Sequence, residues 1–447
     1  MVSNEKINKL GKRIRENDVP LSNYDLETLQ DFRLSYYEPM RTTFNHLVAI
    51  KSKVRTSAIV AFRLKRISTI INKLSRERGM KLSRMGDIAG LRVIVDNDKE
   101  VFKLRDIIAN QFQTSGSIRD YISSPKPIGY RGVHIYIIDN NSGKRIEIQL
   151  RTVKHHNWST LVEITDFIYG TRLKEIGYES DPEFAKFHSL MSSDKELETD
   201  EAELVYKILE QRDFINRLSE LFRRNSEEVR AQWNPKMSKN KFFLIEASKN
   251  SVPIIKGFRD YNKAEAQYFK QYSNSKNTEI VLAAISKPSF SQLSLAYSNY
   301  ILSYHTFISD AEDIVKNLVI RSLELGQVKK FKAIFKTYEI IQSNILLGIV
   351  FEEFSLIFSE EKGDLILYPG NKLTMREFNR IRNRLKIQLT KRGNKHNSFI
   401  EELAYYVPRS ILKKWRCEYF LKSHSKRIAT ILEKQARSFK TNSTIKK

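Results

Sequence analysis

The chain has 447 residues, 41% of them hydrophobic, enough for a buried core and for two or three domains at the usual scale of roughly 100–200 residues each. A single cysteine, Cys417, excludes an internal disulfide and a cysteine-rich metal cluster, and eight histidines with one adjacent pair, His155–His156, and no HExxH spacing speak against a histidine-based metal site. The net charge of +25 is unevenly placed: from Asn371 onward, 21 Lys and Arg stand against five Glu and no Asp, which favours a polyanionic partner, RNA ahead of an acidic membrane surface, beside the simpler reading of a solvated helical face.

In chain order, MVSNEKINKLGKRIREND lacks the apolar core and small-residue cleavage site of a secretory signal. Residues 5–48 read as helical, with Ser22 and Asp25 as caps before LETLQDFRLSYYEPMRTTFNHL, and a second helix is expected from about Ser57 to Glu77. The period then changes. LRVIVDN (91–97), GVHIYIID (132–139) and RIEIQLRT (145–152) alternate or run apolar as strands do, with helical VFKLRDIIANQF between the first two. Residues 156–225 return to helix. A polar, proline-containing boundary, AQWNPKMSKNK (231–241), is followed by KFFLIEA, a helical YNKAEAQYFKQY, IVLAAIS and a long helix from about Ser289. The most apolar stretch, IIQSNILLGIVFEEFSLIF (340–358), is broken by Gln, Ser, Asn and two Glu, so a cytosolic protein without a membrane span is expected. The expected organisation is N-terminal helices (1–50), a mixed α/β domain (51–230), a smaller α/β module of unassigned role (240–325) and a basic, mostly helical C-terminal region (326–447).

Four stretches carry chemistry. In RLKRISTIINKL, Lys65, Thr69 and Lys73 are spaced i, i+4, i+8, so a helix would set them on one face with Arg63 at its start. Two cations flanking a hydroxyl suit a polyphosphate, and an ordinary exposed amphipathic face has the same pattern. In GDIAGLRVIV, Asp87 precedes a strand that contains Arg92. Parity in RIEIQLRT puts Glu147, Gln149 and Arg151 on one face and Ile146, Ile148 and Leu150 on the other. Asp87 and Glu147 together offer the two carboxylates that Mg²⁺ typically takes from protein. The loop PKPIGYRGVH (125–134) spaces Lys126, Tyr130 and His134 four apart across a Pro-Gly turn.

The order RxK…K, DxxGxR, DYIxxPKxxGYxxxH and ExQxRT resembles the synthetase domain of the RelA/SpoT family, the enzymes that make the alarmones (p)ppGpp. Here it is carried by Arg63-Leu-Lys65 with Lys73, Asp87 through Gly90 and Arg92, Asp120-Tyr121-Ile122 through Lys126, Gly129-Tyr130 and His134, and Glu147 through Gln149, Arg151 and Thr152. The resemblance covers about residues 50–170, and HHNWSTLVE after it is similar to the helix that closes this domain in stand-alone relatives. It implies a nucleotidyltransferase-like mixed sheet flanked by helices, and transfer of pyrophosphate from ATP to the 3′-hydroxyl of GDP or GTP with release of AMP. By motif, Arg63, Lys65, Thr69 and Lys73 would hold ATP; Asp87 and Glu147 would hold Mg²⁺, and Glu147 would also take the 3′-hydroxyl proton. Lys126, Tyr130 and His134 would bind the acceptor, with Tyr130 stacked on its base, and Arg92, Gln149 and Arg151 would support the site. Ile128 stands where the family commonly has asparagine, and Gly132 where it has serine, which leaves the acceptor open. Two further readings remain beside alarmone synthesis: a toxin-like relative that pyrophosphorylates the 3′ end of tRNA, with the basic C-terminal region gripping RNA, and a non-catalytic nucleotide-responsive sensor. The first 130 residues contain His46 but no HD motif, so synthesis without hydrolysis is expected.

Overall fold

The computed structural model describes residues 3–16, 21–54, 57–77, 79–193, 197–218, 232, 237–247, 253–274, 279–285, 293, 304–348, 356–359, 364–367 and 375–441. The chain divides into two compact units, residues 1–163 with 225–303, and residues 164–224 with 304–447.

The first unit begins with three helices, α1 (Asn4–Glu16), α2 (Asn23–Leu34) and α3 (Tyr37–Val54). Ser22 caps α2 as expected: its hydroxyl accepts from the Asp25 N–H at 3.2 Å, and the Asp25 carboxylate accepts from the Ser22 N–H at 3.2 Å. Residues 57–77 are not one helix. They form strand β1 (Ile59–Leu64) and, after Lys65 and Arg66, helix α4 (Ile67–Arg76). IVAFRL is a short apolar run whose type periodicity alone does not fix, and pairing decided it: β1 lies between two antiparallel neighbours and five of its six residues are buried.

The three strands expected from the sequence follow, β2 (Ala89–Val95), β4 (Val133–Ile138) and β5 (Arg145–Thr152), with helix α5 (Asp98–Gln111) and a short strand beyond those expected, β3 (Arg119–Asp120), between the first two. Helix α6 (Val153–Tyr169) comes next. Downstream lie β6 (Phe242–Ala247), β7 (Ile254–Phe258), α7 (Tyr261–Asn274) and β8 (Glu279–Ala284). These do not form a module of their own. One eight-stranded sheet runs β3-β4-β5-β2-β1-β8-β6-β7, parallel between β2 and β5 and antiparallel elsewhere. The physical reason is the open edge of β1, whose ladder groups β8 satisfies at Val60↔Ala284, Ala61↔Ala283 and Phe62↔Leu282. The helix expected from Ser289 falls mostly outside the described residues.

One face of the sheet packs on α1–α3, α5 and α7 through a core that includes Ile7, Phe44, Phe62, Val93, Ile148, Tyr268 and Leu282. The N-terminal helices therefore share the core of the sheet instead of standing apart. The other face is split. Over β1, β8, β6 and β7 it is apolar, with Ile59, Ala61, Phe243, Ile245, Val281 and Ala283 buried together. Over β4, β5 and β2 it carries His134, Tyr136, Glu147, Gln149, Arg151 and Arg92, as the strand pairs His134↔Gln149, Tyr136↔Glu147 and Arg92↔Gln149 require.

Among the described residues the second unit is mostly helical, apart from the hairpin Leu356–Ser359 with Asp364–Leu367. Its helices include α8 (Pro182–Met191), α9 (Thr199–Gln211), α10 (Tyr304–Glu324), α11 (Val328–Gly348), α12 (Met375–Leu403) and α13 (Ile411–Thr441). Buried Glu312 of α10 joins three helices: Gln342 of α11 donates to it at 3.0 Å, Arg392 of α12 pairs with it at 2.7 Å, and Lys316 pairs with it at 3.0 Å. No described helix is long and apolar enough to cross a membrane.

Candidate active site

The polar half of the sheet face gathers the residues singled out in the sequence into two linked groups. In the first, Lys65 and Lys73 converge on one oxygen of Asp87, with Nζ–Oδ2 distances of 2.8 and 2.9 Å. They come from different elements: Lys65 from the end of β1 and Lys73 from α4, while Asp87 sits in the turn before β2. Thr69 lies on α4 one turn before Lys73, and Arg63 lies on β1 opposite Gly90. The Lys65 backbone is pinned at both ends, its N–H donating to the Ile88 carbonyl at 2.8 Å and its carbonyl accepting from Arg33 Nε at 2.7 Å. Burial alone would raise the Asp87 carboxyl, yet Lys65 and Lys73 hold it below its ordinary value. Its other oxygen, Oδ1, is buried and has no hydrogen-bond partner. A buried carboxylate oxygen left in this way costs free energy unless a ligand completes it.

The second group is built on β4 and β5. Glu147 Oε1 accepts from the Tyr136 hydroxyl at 2.9 Å and lies 2.9 Å from His134 Nδ1, and Oε2 accepts from Gln149 Nε2 at 2.8 Å. Burial by itself would raise this carboxyl, but the donors from His134, Gln149 and Tyr136 hold it down to about 2. Burial lowers the His134 imidazole below its ordinary value against the pull of Glu147, which favours the neutral ring. A neutral ring facing an ionised carboxylate must carry its proton on Nδ1, and Nε2 then accepts from the Tyr130 hydroxyl at 2.5 Å. That hydroxyl in turn accepts from Arg151 at 2.7 Å, and Arg151 also donates to Gln149 Oε1 at 3.0 Å. The result is a chain of one polarity, Arg151 to Tyr130 to His134 to Glu147. Arg92 lies on the neighbouring strand, its guanidinium lowered by burial and by Arg151 and Arg63 beside it.

The loop that brings Tyr130 in is closed by a turn in which Gly129 N–H donates to the Lys126 carbonyl at 2.7 Å. Lys126 is exposed, with Nζ 4.9 Å from the Tyr121 ring centroid and 5.3 Å from that of Tyr130. Gly132 has φ +152, and a Cβ there would lie 3.2 Å from Arg151 Cγ and 3.4 Å from the Tyr130 hydroxyl. The backbone at this position is one that glycine tolerates best, and the space a serine would fill is taken by Arg151 and Tyr130.

Sequence reasoning missed Tyr136, Arg33 and Arg145. Tyr136 ties the two groups together: its hydroxyl is on Glu147, and its ring lies against Gly86, the neighbour of Asp87. The Cζ atoms of Arg145 and Arg119 stand 5.0 and 5.4 Å from its ring centroid. Its parity with His134 in VHIYIID was the available signal. A Cβ on Gly86 would meet Tyr136 Cε1 at 2.9 Å. Gly86→Ala is therefore expected to push Tyr136 off Glu147, costing roughly 1–3 kcal/mol of stability, as overpacking does. A thermal melt of the variant checks this, and an unchanged midpoint would show that the ring moves freely.

Part of this chain is similar to known proteins. Residues 62–172 match the family model described as a region found in RelA / SpoT proteins. A guanosine-3′,5′-bis(diphosphate) 3′-pyrophosphohydrolase of Aquifex aeolicus is 35% identical over 105 residues, 23% of this chain and 15% of that protein. A GTP pyrophosphokinase of Brucella melitensis is 34% identical over 107 residues, 24% of this chain and 14% of that protein. The chain thus spans about 15% of the length of the curated relatives it matches. Among solved structures, the small alarmone synthetase 1 of Bacillus subtilis, bound to its product pppGpp, is 21% identical and covers 37% of this chain and 93% of its own, with a TM-score of 0.31. Residues 62–172 of this chain thus carry the region found in RelA / SpoT proteins.

Proposed function

We propose that this domain transfers the β,γ-pyrophosphate of ATP to the 3′-hydroxyl of GDP or GTP and releases AMP. The observation that carries the reading is the pairing of two ionised carboxylates, Asp87 and Glu147, with a rim of cations on one sheet face. Such a transfer needs no covalent nucleophile; it needs two nucleotides held in line and phosphate charge offset. Among the described residues no group of three or more His, Cys, Asp or Glu is arranged to hold a metal ion. Mg²⁺ fits the residues that are present, because it takes one or two carboxylates and completes its shell with phosphate and water oxygens. Asp87 through its unpartnered Oδ1, with Glu147, would hold the ion, which when bound neutralises charge on the migrating group.

Arg63, Lys65, Thr69 and Lys73 would take the ATP phosphates. Lys65 and Lys73, now spent on Asp87, are the cations nearest that carboxylate. Lys126 and Tyr130 would take the acceptor, one through charge and the other through its ring, with His134, Gln149 and Arg151 fixing the orientation of Tyr130 and Glu147. Glu147, kept ionised by the donors from His134, Gln149 and Tyr136, would hold the ion and face the acceptor's 3′-hydroxyl, whose proton it would take. The direct test incubates the purified protein with γ-labelled ATP and, separately, GDP, GTP, ADP and deacylated tRNA. Label on a guanine nucleotide with equal AMP is the expected result. Label on tRNA alone would move the reading to the RNA terminus, and no label on any acceptor would leave a nucleotide-responsive sensor.

Tyr130 supplies a finer check. Tyr130→Ala is expected to raise the acceptor KM about tenfold or more, the effect of losing one base-stacking contact, while the KM for ATP stays near wild type. Tyr130→Phe keeps the ring but loses the bonds to Arg151 and His134, and should fall between the two. Equal loss in both variants would mean that the hydroxyl, and not the ring, carries the function.

A further inference from the structure

We propose that the exposed face of α13 is a binding surface for single-stranded nucleic acid. Trp415 and Tyr419 are 63% and 68% exposed, and their rings lie 6.0 Å apart at 24° from parallel. At helical spacing, Trp415 and Tyr419 share one face with Lys422 and Lys426, both exposed. Tyr405, just before the helix, is 89% exposed. Large aromatic side chains held in water side by side mark an interaction site more often than a stability device.

Charge selects the partner. Between Ala404 and Arg427 the sequence carries Arg409, Lys413, Lys414, Arg416, Lys422, Lys426 and Arg427 against a single acid, Glu418, which lies 3.9 Å from Lys414. Lys413 and Arg416 also line a cavity of about 490 Å³ with Lys329 and Lys330 of α11. Ile411 and Leu412 of the same helix, 87% and 61% exposed, widen the apolar part of this surface and would also serve an acidic protein partner, but a row of π faces interleaved with cations matches a strand whose bases are unstacked and whose phosphates repeat along the backbone. A duplex would hide its base faces from Trp415. This surface shares no residue with those assigned to pyrophosphate transfer, so the proposal does not depend on which acceptor that site uses.

The test is fluorescence anisotropy of the full chain with labelled U20, dT20, a 20-base-pair duplex and poly-glutamate. U20 should bind with an affinity that falls steeply with salt, about −0.7 in log–log slope per phosphate neutralised. Trp415→Ala and Tyr419→Ala should each weaken it about tenfold or more, the scale of one lost stacked base, with the salt slope unchanged because the cations remain. Trp415→Phe should retain most of the binding. Since both positions are exposed, the melting temperature should not move. Tighter binding of U20 than of dT20 would make RNA the ligand, and equal binding would make it either strand. Wild-type affinity in the double alanine variant, equal binding of duplex and single strand, or poly-glutamate bound as tightly as U20 would each overturn the proposal, the last in favour of an acidic protein partner.

Discussion

Asp87→Ala is expected to lower pyrophosphate transfer by about a thousandfold or more, a loss of roughly 4 kcal/mol in transition-state stabilisation. The carboxylate has two duties that no neighbour duplicates. One oxygen draws Lys65 and Lys73 from separate elements to a single point. The other, buried and without a hydrogen-bond partner, is where an ion would complete its shell. Alanine also leaves two half-buried ammonium groups facing each other, so the diagnostic variant is Asp87→Asn, which keeps the shape and an acceptor oxygen while removing the charge. Both variants should bind ATP less tightly and transfer almost none of its label. A well-folded Asp87→Asn protein active within about tenfold of wild type, an effect of only roughly 1.4 kcal/mol, would end the assignment. Glu147 is a less clean target, because its removal strands donors from His134, Tyr136 and Gln149 at once.

The largest effect on stability is expected in the other unit. Glu312 is 1% exposed, and burial alone would raise its carboxyl, yet Arg392 first, then Lys316 and Gln342, hold it down to about 2. Glu312→Ala leaves Arg392 and Lys316, each largely but not fully buried, without their counter-ion, and breaking a buried pair from one side costs up to about 3–5 kcal/mol. For a unit of this size that corresponds to a fall in melting temperature on the order of 10 °C. The wild-type protein should lose the same contribution on acidification. A carboxyl whose folded value lies below its ordinary 4.5 stabilises fully above about pH 4.5 and progressively less as pH falls toward 2. Calorimetry of wild type and variant at pH 7 and pH 3 checks both statements: the gap between them should be wide at pH 7 and narrow at pH 3. A midpoint unchanged at pH 7 would show that the network adds nothing to folding. Arg63, Lys65, Thr69, Lys73 and Asp87 lie in the other unit, so ATP binding by the variant below its melting temperature should be unaffected.

The sequence by itself determined the strands β2, β4 and β5, the capping of α2 and the helical character of the C-terminal region. It also placed Glu147, Gln149 and Arg151 on one face, since alternation is a local property of a strand. The order of the four motifs sufficed to recognise the synthetase domain. Three matters were left to tertiary structure. Residues 59–64 became a strand because β2 and β8 pair with them. Strands β6, β7 and β8 joined the same sheet because the edge of β1 was open. Lys65 met Lys73 on Asp87, and Tyr136 met Glu147, only once strands distant in sequence had settled their register. Periodicity reports which way a side chain points along its own element. Which distant side chain it meets depends on hydrogen-bonded pairing and packing between elements, whose free energy belongs to the folded chain and to no local segment of it.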